Sequence, residues 1–135
     1  MVSLCVFNHY LRQNPILCLS LNVQAKSEVC YAAGYAYSYK YDKLYYSDIV
    51  KFKSKHTCSD GIDTYTKNEW HLFFASEKKK SYKYSLENIY SCTCNGKGEE
   101  KAFNWVKKEI LKQKSNYRYN GFEIRKIDGF SIGKT

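Results

Sequence analysis

Proline and histidine are scarce in this chain of 135 residues, which has one proline and three histidines. A single proline excludes a collagen-like or polyproline chain, because both need proline throughout their length. No apolar run approaches the roughly 18 residues that a transmembrane helix needs, so that class is excluded as well. Aromatic residues make up 17% and charged residues 26%, a composition that a disordered chain does not have. The length predicts a single domain over residues 1–135.

The shortage of histidine also argues against catalysis. Residues 129–133 spell G-x-S-x-G, the nucleophile elbow, but that motif needs a later acid and histidine, and the last histidine is His71. Residues 133–135 end like a phosphate-binding loop, yet the position of its first glycine holds Asp128. We therefore predict a protein that is not an enzyme and that uses no cofactor.

Two short pairs, His56-x-Cys58 and Cys92-x-Cys94, raise the question of a metal site. Alternate residues of a strand project to one face, so two such pairs have the donors of a four-ligand zinc site. Neither pair has the spacing of a zinc knuckle, which places two to four residues between its cysteines. We therefore predict no metal site. A disulfide from Cys58 to Cys92 or Cys94 is an alternative to zinc ligation by these cysteines.

The cysteine count permits two cellular settings. The six cysteines are Cys5, Cys18, Cys30, Cys58, Cys92 and Cys94. An even number in a short chain permits three disulfides if the protein is secreted. Residues 1–25 resemble a signal peptide only weakly, because their first part is polar and their apolar stretch is short. We predict a cytoplasmic protein with reduced, mostly buried cysteines, and secretion with disulfide bonds is the alternative.

Positive charge is concentrated in the later part of the chain. The net charge is +9, of which residues 1–50 contribute +1 and residues 101–126 alone contribute +6. A local cationic surface attracts polyanions such as nucleic acid, an anionic membrane or an acidic protein. A general role in solubility is the alternative explanation.

Alternation of side chains predicts a sheet. The clearest period of two runs from residue 29 to residue 41, where tyrosines occupy one face and small residues the other. Further strands are predicted at residues 2–7, 17–23, 44–53, 70–75, 81–84 (as the hairpin partner of 70–75), 88–94 and 117–127 (a final strand or hairpin). Residues 54–68 are predicted as an irregular loop, and residues 128–135 as a tail.

One helix is predicted, over residues 99–114, with two acids in its first turn. Ala102, Phe103, Val106 and Ile110 share an arc that faces the core. The predicted fold is therefore of the α+β class: a mostly antiparallel sheet of about six to eight short strands with this amphipathic helix packed on one face.

The helix also carries the sharpest functional pattern. Lys101, Trp105, Lys108 and Lys112 fall on one face, away from the apolar arc. Cations beside an exposed indole suit a phosphodiester backbone, because ammonium groups neutralise phosphates and the ring offers a stacking plane. Similar basic and aromatic residues recur downstream and upstream, with the cations Arg118, Lys51, Lys53 and Lys55. Alternatively, Trp105 packs at the edge of the core beneath the lysine stems.

The tyrosine ridge is the second candidate surface. Tyr31, Tyr35, Tyr37, Tyr39 and Tyr41 lie on one face of the predicted strand. Tyrosine offers a broad, rigid contact area with a polar tip, which suits a protein-binding or stacking face. A ridge packed beneath the helix is the structural alternative.

The leading prediction is a small binding module that contacts nucleic acid or another polyanion through its backbone, with weak sequence selectivity. The alternative is a protein inhibitor or adaptor, of the kind that phages, viruses and pathogens use, which binds a larger protein through the tyrosine face. A secreted disulfide-bonded protein is the third class. The sequence predicts neither the partner nor the oligomeric state.

Overall fold

The computed structural model describes residues 2–6, 17–23, 28–54 and 61–133. Two strands near the start, β1 (Val2–Val6) and β2 (Leu17–Val23), pair as an antiparallel hairpin. The main sheet has five strands, which are β3 (Glu28–Ser38), β4 (Lys43–Ser47), β5 (Val50–Ser54), β6 (Ser85–Cys92) and β7 (Glu123–Ile127). Its two faces are covered by helices α1 (Gly61–Glu77) and α2 (Glu99–Tyr119).

Strand β3 is the centre of the main sheet because it pairs along both edges. Strand β6 runs antiparallel along one edge, while β4 and β5 lie end to end along the other. Strand β7 pairs in parallel with β4. The α+β class is therefore confirmed, but the sheet is mixed and has five strands. The parallel pair arises because α2 carries the chain from β6 back along the sheet, as a parallel crossover requires.

The predicted strand at residues 44–53 is divided at Asp48 and Ile49. Tyr46 lies opposite Tyr35 and Val50 opposite Ala32, so three residues on this edge face two on β3. This is a β-bulge. The N–H of Gly34 donates to Oγ of Ser47 at 2.8 Å, and that hydroxyl donates to the carbonyl of Asp48 at 2.8 Å. The serine thus satisfies a buried backbone amide at the interruption of the ladder.

Helix α1 corrects two predictions, the loop at residues 54–68 and the strand at residues 70–75. Its buried side chains, Ile62, Thr66, Trp70 and Phe74, recur at every fourth position and so share one helical face. The strand prediction was wrong because tryptophan and phenylalanine favour strands in local propensity. Burial of this repeat against the sheet outweighs that preference. Residues 55–60 of the predicted loop lie outside the described residues.

The segment after α1 corrects the predicted hairpin as well. Ser81–Lys83 is a short 3-10 helix, so residues 81–84 do not return as a strand. The strand predicted at residues 88–94 is found as β6, shifted toward the N-terminus. With residues 70–75 in a helix, the predicted hairpin has no first strand.

Helix α1 packs on the face of β3 that carries small side chains. Trp70 is fully buried there, against Gly34. A Cβ atom at Gly34 would lie 2.0 Å from the Cδ2 atom of Trp70, so only glycine permits this approach. The indole Nε1 donates to the carbonyl of Tyr35 at 3.1 Å. Phe130 packs edge-on against the same ring, so part of the predicted tail contributes to this core.

Helix α2 packs on the opposite face and extends beyond its predicted end. Ala102, Val106 and Ile110 are buried, as the periodicity predicts. The helix continues to Tyr119, so the predicted strand at residues 117–127 was wrong in its first part. In the extension, Tyr117 packs against Phe122, with ring centroids 4.9 Å apart, a contact that lies beyond the periodic arc used for the prediction. The helix ends at Tyr119, and Gly121, two residues later, has a φ of 83° that is readily adopted only by glycine.

The prediction of reduced cysteines is wrong for Cys30 and Cys92. These residues lie opposite each other on β3 and β6 and form a disulfide. Cys94 is also disulfide-bonded. The register of β3 and β6 places Cys30 opposite Cys92, a pairing that the sequence did not single out.

Candidate anion-binding surfaces

The outer face of α2, which we define by Lys101, Trp105, Lys108 and Lys112, is exposed along its whole length. Trp105 retains 45% exposure, so it does not pack into the core. The buried residues of the helix lie on the opposite side, which leaves this face to solvent. The four side chains that the sequence placed on one face are therefore together and accessible.

The outer face continues to the end of the helix. Arg118 is exposed, and Tyr119 keeps 91% of its surface. Tyr119 stands five turns after Lys101, at the same angle around the helix. Glu109, an acid in the middle of this helix, is half-buried and lies toward Tyr35, whose pKa is raised by burial and then by Glu87, Tyr37 and Glu109. The exposed stripe is thus cationic and aromatic.

The remaining predicted cations do not extend this stripe. Lys51 is ion-paired with Glu99, with Nζ and Oε1 3.0 Å apart. Lys53 is exposed on the same strand, two residues further along. Lys55 lies outside the described residues. Lys51 is therefore engaged within the protein, whereas the lysines of the outer face of α2 form no ion pair with the described ranges of the chain.

The tyrosine ridge is largely beneath α2. Tyr31 packs edge-on against Phe103, with ring centroids 5.5 Å apart, and Tyr37 packs against Tyr117 at 5.2 Å. Tyr35 is half-buried in the small core that Ala33 forms with Val106 and Ile110. Burial, followed by Tyr39 and Tyr37, raises the pKa of Tyr117. Three of the five predicted tyrosines thus take part in packing.

The last two tyrosines of the ridge diverge at the β3–β4 turn. Tyr39 is 71% exposed, although its ring contacts Phe122. Tyr41 turns toward Tyr84, with stacked rings 5.9 Å apart. Asp42, in the left-handed region with φ of 49°, follows Tyr41 in this turn. The regular alternation ends here, so the five tyrosines do not form one continuous face.

The turn at Tyr41 borders a lysine-rich pocket that the sequence analysis missed. Its volume is about 340 Å³. It is lined by Tyr41, Lys43, Lys78, Lys79, Lys80 and Tyr84. The lysines come from two distant segments, the start of β4 and the residues that follow α1, so neither segment shows the cluster by itself. We call this site the lysine pocket.

Two further lysines, Lys40 and Lys83, border the lysine pocket at Tyr41. Their Nζ atoms lie 5.9 and 5.7 Å from the centroid of the Tyr41 ring. The hydrogen bond with Lys83, then the charges of Lys83, Lys40 and Lys80, lower the pKa of the Tyr41 phenol. Lys78 lies over the ring of Tyr45 at 4.4 Å. Six ammonium groups therefore surround one end of the sheet.

The backbone holds these lysines in place through successive tight turns. Ser81 N–H donates to the carbonyl of Lys78 at 3.2 Å, and Lys83 N–H donates to that of Lys80 at 3.0 Å. Lys78 N–H closes the last turn after α1 by donating to the carbonyl of Phe74 at 2.9 Å. Cations beside a helix C-terminus are favoured by the helix dipole, which gives the cluster a structural benefit as well.

Metal ligation and membrane insertion gain no support from the described part of the chain. Within residues 2–6, 17–23, 28–54 and 61–133, no group of three or more His, Cys, Asp or Glu residues is placed to hold a metal ion. No helix in these same ranges is long and apolar enough to span a bilayer. Comparison with known protein families, curated proteins and solved structures finds no match for this chain.

Proposed function

We propose that the protein is a non-enzymatic module that binds an extended polyanion, nucleic acid foremost, on the outer face of α2. The observation that carries this proposal is the exposure of Lys101, Trp105, Lys108 and Lys112 on one side of one helix. Helical geometry makes this stripe about 16 Å long, since each residue rises about 1.5 Å. One strand of a duplex carries one phosphate for about every 3.4 Å of helix axis, so a stripe of this length spans several phosphates.

The contacts of this face are those of a backbone binder. Lysine acts as a flexible point charge and does not read base edges in a fixed geometry. Trp105 and Tyr119 offer exposed rings, and base stacking on such rings contributes about 1–3 kcal/mol per base in single-strand binding. The proposal is therefore for weak sequence selectivity, a strong dependence on salt, and a preference for unpaired strands.

Titration with oligonucleotides across a salt series tests this function. The variant Lys101→Gln/Lys108→Gln/Lys112→Gln should lower the affinity and reduce the slope of log K against log salt by about 0.7 for each single-strand phosphate that is no longer neutralised. The matched control is Lys43→Gln/Lys79→Gln/Lys80→Gln, which removes the same number of charges from the lysine pocket. Binding that is absent, that ignores salt, or that falls equally in both variants would contradict the proposal.

The tyrosine face has less support as a protein-binding surface. Tyr31, Tyr35 and Tyr37 are already engaged beneath α2, which leaves Tyr39 as the highly exposed member of the ridge. An adaptor or inhibitor that used this face would have to use a single ring and its surroundings. A nuclease-resistant stoichiometric protein partner whose binding is abolished by Tyr39→Ala would favour this alternative.

The disulfide supports secretion over the predicted cytoplasmic location. Structural disulfides persist in oxidising compartments and are rare in the cytosol. The Cys30–Cys92 bond joins the central strand β3 to its neighbour β6, so an intact bond is expected in the folded protein. Thiol alkylation of protein taken directly from its source, followed by intact mass analysis, tests this location. Full alkylation of Cys30 and Cys92 without reductant would show free thiols and would favour the cytoplasmic location instead.

A further inference from the structure

We infer that the lysine pocket is a second binding site, separate from the outer face of α2, for a compact anion with two or more neighbouring phosphate groups. The pocket lies on the α1 side of the sheet. On β4, Lys43 and Tyr45 lie opposite Ser38 and Ala36 of β3, and Ala36 and Tyr45 belong to the core under α1. Helix α2 covers the opposite face. An extended ligand on the outer face of α2 therefore does not reach the pocket directly.

Charge density distinguishes the pocket from a general cationic surface. Lys43, Lys78, Lys79 and Lys80 line a single cavity of about 340 Å³. Lys40 and Lys83 add two more ammonium groups at the ring of Tyr41. Cavities of about 300–1,000 Å³ are the size class that holds small molecules. A cluster this dense suits a ligand whose negative charge is equally concentrated.

The partners of these lysines within the protein are mostly neutral. None of the six forms an ion pair with the described part of the chain; instead, three lie near tyrosine rings. Two acids in the neighbouring segments, Asp42 and Glu77, are exposed, and Glu123 is ion-paired with Arg125. The cluster therefore retains a positive excess that an external anion can neutralise.

Phosphate groups fit this chemistry better than carboxylates. A phosphate monoester carries about 1.5 to 2 negative charges near neutral pH in one compact group, together with three acceptor oxygens. A carboxylate carries one charge and two oxygens. Lysine binds phosphate as a point charge without demanding the planar geometry that arginine imposes. Several neighbouring phosphates match several converging lysines.

The aromatic walls argue against a nucleic-acid base as the group that enters. Tyr41 and Tyr84 stack on each other, and Tyr84 also contacts Tyr45 and Phe74. Lysine ammonium groups lie near the rings of Tyr41 and Tyr45. These rings are already engaged in packing, so the pocket offers charge where the outer face of α2 offers a stacking plane. The two sites thus differ in the ligands they suit.

Binding of inorganic tripolyphosphate to the full-length protein tests the pocket. Calorimetry and the thermal midpoint Tm should both report binding, because a ligand of the native state raises Tm. The variant Lys43→Gln/Lys79→Gln/Lys80→Gln should weaken the affinity by about tenfold or more, because three of the charges that attract the phosphates are removed. The variant Lys101→Gln/Lys108→Gln/Lys112→Gln should bind tripolyphosphate like the wild type.

Three results would overturn the inference. They are no binding of tripolyphosphate, an equal fall in affinity in both triple variants, or the same rise in Tm with sulfate at equal ionic strength. Because oligonucleotide binding is assigned to the outer face of α2, it should survive in the pocket variant. The failure of one site is therefore distinguishable from the failure of the other.

Vesicles identify the source of the phosphates. Sedimentation with phosphatidylcholine vesicles that contain phosphatidylinositol bisphosphate is compared with phosphatidylserine vesicles of equal surface charge. Binding to the first kind alone, displaced by tripolyphosphate, assigns the pocket to a lipid headgroup. Tripolyphosphate binding without vesicle binding assigns it to a soluble phosphorylated compound. A phosphate-specific pocket is contradicted if the protein binds both kinds of vesicle equally and the pocket variant still binds them.

Discussion

The two faces of β3 are packed by opposite strategies. On the α1 side the strand presents Cys30, Ala32, Gly34 and Ala36, and the helix supplies large rings such as Trp70. On the α2 side the strand supplies the tyrosines, and the helix presents Ala102 and Val106. Large rings thus meet small side chains on the α1 side. On the α2 side, Tyr31 and Tyr37 also pack against the rings of Phe103 and Tyr117.

Truncating one large group on the α1 side should have the largest effect. Trp70→Ala removes a fully buried ring and its hydrogen bond to Tyr35, and we expect the free energy of unfolding to fall by about 3–5 kcal/mol. Val106→Ala on the other side should lower it by about 1–2 kcal/mol, since less apolar surface is removed. Urea denaturation of both variants measures the two losses in the free energy of unfolding. Equal effects would show that the two interfaces do not differ in this way.

Reduction of the Cys30–Cys92 bond should be the next largest effect. The bond closes a chain segment with a sequence separation of 62, for which loop entropy predicts a destabilisation of about 4 kcal/mol, with about 2–4 kcal/mol typical of measurements. The double variant Cys30→Ala/Cys92→Ala isolates this bond from the other cysteines. Denaturation of the variant and of the wild type, both without reductant, gives the difference. An unchanged midpoint would mean that the bond does not constrain the unfolded chain.

Adding one methyl group at Gly34 should disturb the α1 side selectively. Gly34→Ala places a Cβ at 2.0 Å from Trp70, and the helix must shift at a cost of about 1–3 kcal/mol. Ala33, the neighbouring residue, faces α2, so Ala33→Gly serves as a control that leaves Trp70 in place. Tryptophan fluorescence should change in Gly34→Ala and stay constant in Ala33→Gly. The absence of a spectral change in Gly34→Ala would contradict the close approach.

Alkaline pH should have the smallest effect on the free energy of unfolding, and this effect should grow as the phenols ionise. Burial is the main cause that raises the phenol pKa of Tyr35, Tyr84 and Tyr117 above the ordinary value of 10.0. A raised pKa in the folded state stabilises the fold below pH 10, and this contribution disappears as pH rises through the folded value. The free energy of unfolding should therefore decline above about pH 10.

A spectrophotometric titration separates Tyr41 from the phenols whose pKa is raised. Tyr41 should ionise before the buried phenols, because the hydrogen bond with Lys83 and then the lysine charges lower its pKa. Tyr41→Phe should remove this early step, and Lys83→Met should shift it to higher pH. Tyrosines that ionise together, with no early step, would contradict the positive environment of the lysine pocket.

Periodicity revealed the elements that carry a strong local signal. The strand at β3 and the helix at α2 were predicted because alternation and a helical arc repeat over many residues there. Helix α1 was missed, although Ile62, Thr66, Trp70 and Phe74 were spaced for it, because the aromatic run at residues 70–75 also favours a strand. The parallel pairing of β7 depends on the path of α2 over the sheet, which no local pattern encodes.

The two candidate sites also differ in whether local sequence reveals them. The outer face of α2 follows from spacing within one helix, so the sequence was sufficient to predict it. The lysine pocket brings the segment around Tyr41 beside residues 78–84, and their contact depends on where two turns meet. The Cys30–Cys92 bond likewise depends on the register of β3 and β6.

The scarcity of proline and histidine, the placement of charge and the two faces of α2 were determined by the sequence alone, because each is a property of composition or of one element. The packing of three ridge tyrosines beneath α2, the disulfide and the convergence of the lysines were decided by tertiary structure. Such features join residues far apart in the chain, and only the packing of α1 and α2 on opposite faces of one sheet brings them together.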